Sequence, residues 1–118
     1  MSYDINLLDP VTKNVIQLDE PHQLHGGTYA VGGTKEAWLN VTYNYGEHFR
    51  SVLGDKGIRL IYGMSGASSL PVLEKAISSL KDDVSSDYWA PTEGNAKAAL
   101  AKLKSLAQMR PDGIWDGD

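Results

Sequence analysis

Tyr3-Asp4-Ile5-Asn6-Leu7-Leu8 alternates apolar and polar side chains with a period of two, so that Tyr3, Ile5 and Leu7 share one face. That alternation marks a half-buried strand. Asp9-Pro10 follows and opens a turn, because proline fixes its own φ and an aspartate can bond forward to the backbone. Asn14 to Leu18 reads as the returning strand, which makes residues 3–18 a hairpin with a loop of about five residues.

Working outward, Glu20 to His25 is a polar connection ending in Gly26-Gly27. Thr28-Tyr29-Ala30-Val31 is a short strand, and Gly32-Gly33 supplies the positive φ angles of a tight hairpin turn. Ala37 to Tyr43 carries the β-formers Trp38, Val41, Thr42 and Tyr43. Thr28–Tyr43 is therefore read as a second hairpin, although Lys35-Glu36-Ala37 also suits a helix over residues 35–43.

The chain then changes period. Asn44 is a plausible N-cap, with Glu47 three residues on, and Tyr45, His48, Phe49 and Val52 fall on one helical face closed by Gly54. Gly57 to Gly63 is apolar but short, and suits either a buried strand or one helical turn. Leu70, Leu73, Ile77 and Leu80 recur at helical spacing, widened by Val72 and Ala76, with Ser68 or Ser69 as cap and Pro71 in the first turn. A polar loop leads through Tyr88-Trp89-Ala90-Pro91 to Thr92, the N-cap of a last helix. Its stripe is Ala96, Ala99, Leu100, Leu103, Leu106 and Ala107, and Pro111 stops it. Strands first and helices last predict an α+β fold: an antiparallel sheet of two N-terminal hairpins packed against about three C-terminal helices. Residues 1–118 form a single domain on this reading.

At 118 residues and 42% apolar content, the chain is long enough for a core of its own. Eleven basic and fifteen acidic residues leave a net charge of −4. The basic residues are scattered singly, so direct nucleic-acid binding is not expected. No cysteine is present, which excludes disulfides, thiolate catalysis and cysteine-held metals. Met1 is followed by polar residues, and no stretch approaches the roughly 20 apolar residues of a membrane span. The expectation is a cytoplasmic protein with no membrane contact.

Few residue patterns carry chemistry. His22 and His25 have a spacing that binds metal on a helix, but Pro21 and Gly26 put them in a loop, where solvated histidines are expected. Asp112, Asp116 and Asp118 lack the order of a calcium loop. They read as a polar tail anchored by Trp115. Gly63-Met64-Ser65-Gly66 is neither a phosphate loop nor a nucleophile elbow. It either offers backbone N–H groups to an anion ahead of the Leu70 helix or simply makes a tight turn. No metal and no cofactor are expected.

The aromatic residues are more informative. Trp38, Tyr43, Tyr45, Tyr62, Tyr88 and Trp89 fall near element ends or in loops, where such side chains serve as core edge or as a recognition surface. The candidate binding residues are Tyr43, Asn44, Tyr45, Tyr62, Trp89, Thr92 and Asn95. No catalytic set emerges, since Glu47 and His48, adjacent on a helix, point about 100° apart.

From Asn40 onward, Thr42-Tyr43-Asn44-Tyr45-Gly46, Gly57-Ile58, Gly63-Met64-Ser65-Gly66 and Leu70-Pro71-Val72-Leu73 stand in an order that resembles uncharacterised small proteins of bacteriophages and bacterial mobile elements. Trp89-Ala90-Pro91-Thr92-Glu93-Gly94-Asn95 and the closing Pro111 extend it. The Trp precedes the Pro here, whereas many of those proteins place it after the Gly. The matching positions are Thr42, Asn44, Pro91, Gly94 and Asn95. The resemblance implies a phage or prophage setting in a host bacterium and little chemistry. The resulting expectation is a non-enzymatic binding protein, monomeric or a small homo-oligomer, acting on a host protein or a small signalling molecule. An anti-defence role fits that setting by analogy. The alternatives are a small hydrolase or transferase using Glu47 and His48 beside Asn44, and a structural or virion-assembly part.

Overall fold

A computed structural model describes residues 1–22, 24 and 33–118. The predicted Thr28–Val31 strand, Gly32 and His25 lie outside the described residues. The fold is α+β. Strand β1 (Ser2–Leu8) lies at the centre of a three-stranded antiparallel sheet, between β4 (Trp38–Thr42) and β5 (Ile114–Gly117). The period-two alternation holds: Tyr3, Ile5 and Leu7 are buried and Asp4 is exposed. Tyr3 pairs with Val41, Ile5 with Leu39 and Leu7 with Trp115, so these six share one face. Helices α1 (Gly46–Leu53), α2 (Gly66–Ser78) and α3 (Glu93–Met109) supply Phe49, Leu73, Leu100 and Leu103 to the same core.

The first hairpin is shorter than its sequence suggests. Asp9 Oδ1 accepts from the N–H groups of Val11 and Thr12, and Val15 bridges Leu8. Beyond Ile16 the chain leaves β1, and β2 (Gln17–His22) pairs with β3 (Thr34–Glu36) in a second, two-stranded sheet. Of the two readings for residues 35–43, the extended one holds: β3 and β4 precede a 3-10 turn at Tyr43–Tyr45. Gly33 has φ of 90°, the positive φ expected of Gly32-Gly33, while the rest of that hairpin turn lies outside the described residues.

Several local expectations are corrected. Asn44 is not a helix cap. Thr42, in extended conformation, accepts from Asn44 N–H and starts the 3-10 turn, so α1 begins only at Gly46. Residues 57–61 are a second 3-10 turn, which settles the strand-or-turn ambiguity there. The cap of α2 is Ser65, whose Oγ accepts from Ser68 N–H, not Ser68 or Ser69 themselves. Pro71 consequently stands in the second turn of α2, where its missing N–H leaves the Ala67 carbonyl without the usual helical donor. Thr92 caps α3 as expected, accepting from Asn95 N–H at 3.0 Å.

The C-terminal stretch departs most from its reading as a tail. Ile114–Gly117 is a strand of the central sheet, and Trp115 is 1% exposed with its Nε1–H donating to Ser69 Oγ at 2.7 Å. The outer edge of β5 is covered by residues 63–65, because Trp115 N–H donates to the Met64 carbonyl and Gly63 N–H to the Trp115 carbonyl.

Candidate functional site

The loop between α2 and α3 concentrates the molecule's polar side chain to backbone bonds. Asn95, in the first turn of α3 and buried, accepts from Ser85 N–H and donates through Nδ2 to the carbonyls of Asp87 and Ala90, all within 3.0 Å. Gly94 N–H donates to Asp83 Oδ1 at 2.9 Å. A Cβ on Gly94 would stand 2.4 Å from the Val84 nitrogen, so only glycine lets the loop backbone cross the helix start. Thr42 N–H donates to the Tyr88 hydroxyl, and the Tyr45 hydroxyl donates to the Tyr88 carbonyl. Asn44 Nδ2 reaches the Trp89 carbonyl at 2.9 Å, and His48 Nε2 donates to the Pro91 carbonyl at 2.7 Å. Loop residues Ser85 to Pro91 are thus held from three sides, by the end of β4, by α1 and by α3.

Trp89 stands on this frame. Its ring packs edge-on to Tyr88 at 5.0 Å, Tyr88 packs on Tyr45 at 5.5 Å, and Tyr45 on Phe49 at 6.2 Å. The series runs from the buried core to an indole that is 52% exposed. Burial pushes the Tyr45 phenol well above its ordinary range, with Tyr88 and Asp87 adding to the rise, so it remains a protonated donor.

The seven sequence-predicted residues fall into two groups. Asn44, Tyr45, Trp89, Thr92 and Asn95 meet at the loop. Of these, Tyr45, Asn95 and Thr92 build the frame, Asn44, itself exposed, ties it to the 3-10 turn, and Trp89 carries an exposed ring. Tyr43 and Tyr62 belong to a different cluster, around Arg59. The Arg59 guanidinium lies 5.0 Å from the Tyr3 ring centre and 5.8 Å from that of Tyr43, and its Nε–H donates to the Asp118 carbonyl. Tyr62 packs against Gly117, and burial, then the Asp118 carboxylate, raise its pKa. Its hydroxyl is buried and has no hydrogen-bond partner among the described residues.

The other candidates take structural roles. His22 is not a solvated loop residue. It ends β2 and is buried, with Nδ1 accepting from Leu24 N–H and Nε2 therefore donating to the Glu36 carbonyl at 2.6 Å. At Gly63–Gly66 the tight-turn reading holds and the anion reading fails: Gly66 N–H is bound by the Gly113 carbonyl, Ala67 N–H by the Pro111 carbonyl and Ser68 N–H by Ser65. Glu47 is exposed, while His48 and Asn44 each hold a loop carbonyl, so the three do not converge as acid, base and ligand. Among the described residues, no three His, Asp or Glu side chains stand close enough to hold a metal ion, and no helix is long and apolar enough to cross a membrane.

Sequence reading missed one feature. A cavity of about 170 Å³ opens between α3, β4 and the loop, and Lys102 is among its lining residues. Lys102 follows the apolar stripe of α3 at a position that helical periodicity leaves at the margin of the buried face. No protein-family model, curated protein or solved structure matches the chain.

Proposed function

We propose that the chain is a non-enzymatic binding protein whose contact residue is Trp89, set on a pre-organised loop that meets a host protein. The observation that carries this reading is the combination of extensive pinning and exposure. The loop backbone is bonded at Ser85, Asp87, Tyr88, Trp89, Ala90 and Pro91, yet the indole it carries is half open to solvent. Tryptophan dominates binding hot spots, and a loop already held in its bound shape loses little entropy on association. A side chain needed only for the fold has no reason to remain exposed on so constrained a support. The motif resemblance supports a phage or prophage setting in a bacterial cytoplasm, and an anti-defence role extends the reading on that setting alone.

Trp89→Ala tests it. The variant is expected to melt within a few degrees of the parent, because the indole is exposed and the loop bonds use backbone atoms of residue 89. Immobilised wild-type protein should retain a bacterial partner that the variant loses, while Val11→Ala, at an 86% exposed residue of the β1–β2 turn, retains it. Equal retention by all three proteins, or no retention by any, rejects the assignment.

A further inference from the structure

The cavity beside α3 is chemically distinct from the Trp89 surface. Its apolar lining comes from Leu39 and Val41 of β4, Val84 of the loop and Ala98 and Ala99 of α3, and Lys102 lines it too. Of the other polar side chains that line it, Tyr45 donates to the Tyr88 carbonyl, Tyr88 accepts from Thr42 N–H, Ser85 accepts from Asp87 N–H, and Asn95 is bonded to Ser85, Asp87 and Ala90; Ser86 also lines it. Lys102 is the one charged residue among its described lining residues.

We propose that this cavity binds a small monocyclic carboxylate, its ring among Leu39, Val41, Val84 and Ala99 and its carboxylate on the Lys102 ammonium. Size sets the ring. An apolar cavity of roughly 150 Å³ holds a benzene molecule, so one of about 170 Å³ has room for a single ring with a short substituent. Charge sets the substituent. Lys102 is half-buried, and desolvation lowers its pKa. An incoming anion is attracted to a half-buried ammonium, whereas an incoming cation is repelled. An ammonium has three N–H donors, so it can take a carboxylate oxygen alongside a contact within the protein.

Benzoate, benzamide and benzylamine are the probes, titrated into the intact chain and followed by backbone amide shifts. Benzoate is expected to shift Leu39, Val41, Ala98 and Ala99 saturably and to bind about tenfold more tightly than benzamide, the difference a charge-assisted hydrogen bond makes. Benzylamine is expected to bind least. Lys102→Met keeps the aliphatic stem, so it should weaken benzoate about tenfold and leave benzamide unchanged. Lys102→Gln serves the same purpose if the methionine variant does not fold. Equal affinities for benzoate and benzamide, shifts confined to residues elsewhere, or no saturable shift in the wild type would each overturn the proposal. Val11→Ala, at an exposed residue of the β1–β2 turn, should bind benzoate as the parent does.

Discussion

Two tyrosines, Tyr45 in the core and Tyr62 at its edge, make opposite use of the same hydroxyl. Tyr45 donates to the Tyr88 carbonyl and so links the core to the loop, while the Tyr62 hydroxyl has no partner among the described residues. Removing a bonded buried hydroxyl costs more than removing an unbonded one. Tyr45→Phe is expected to lower stability by about 1–2 kcal/mol, and Tyr62→Phe to be neutral or slightly stabilising, both measured by urea unfolding. The two phenols also set an alkaline limit. Both are held protonated in the fold above the ordinary phenol value of 10.0, chiefly by burial. Their contribution is fully present below the unfolded value and is lost as pH rises above it, toward the higher folded value. The urea midpoint should therefore fall from about pH 9 to about pH 11, and the double Tyr45→Phe, Tyr62→Phe variant should show a shallower fall. An unchanged slope in the double variant would assign the alkaline sensitivity to other groups.

The α2–α3 loop is an element without regular structure that behaves as a rigid one, because α3 begins with Thr92, Gly94 and Asn95. Asn95→Ala removes three bonds to loop backbone at once and is expected to cost about 2–3 kcal/mol. Gly94→Ala should cost at least about 1–3 kcal/mol, since the new methyl meets loop backbone and no flexible side chain that could move aside. Both variants should speed proteolysis within residues 81–91, and a loop cut no faster than in the parent would mean that its order comes from elsewhere. Thr92, Gly94 and Asn95 were visible in the sequence as a capped helix start, because an N-cap threonine before an apolar stripe has a local physical cause. The partners of Asn95 were not visible, since nothing local selects which carbonyls a buried amide meets. The same division runs through the fold. Strand β1 was legible from alternation and α3 from its stripe, both of which record burial directly in the order of residues. Strand β5 was not. Ile-Trp-Asp-Gly is too short to show a period, and its aspartate and glycine are poor strand formers. Only its pairing with β1, Ile5–Gly117 through Leu8–Ile114 and distant in sequence, makes it a strand.

That pairing governs the molecule as a whole. β1 is hydrogen-bonded to β4 on one side and β5 on the other, so the N-terminal strand cannot complete its sheet until the last residues arrive. Trp115 fills the same core as Ile5, Leu39, Leu73 and Leu103, and its indole N–H ends on Ser69 of α2. The core therefore joins strands from both ends of the sequence to the helices between them. In Trp89→Phe the remaining indoles are Trp38 and Trp115, so fluorescence reports the sheet while far-ultraviolet circular dichroism is weighted to the helices. The two signals are expected to give one coincident urea transition, as small cooperative domains do. Trp115→Ala should shift that transition by about 3–5 kcal/mol in both signals together. A fluorescence change that precedes the loss of helix would show that α2 and α3 hold together without β5, and the sheet would then be an addition to a helical core.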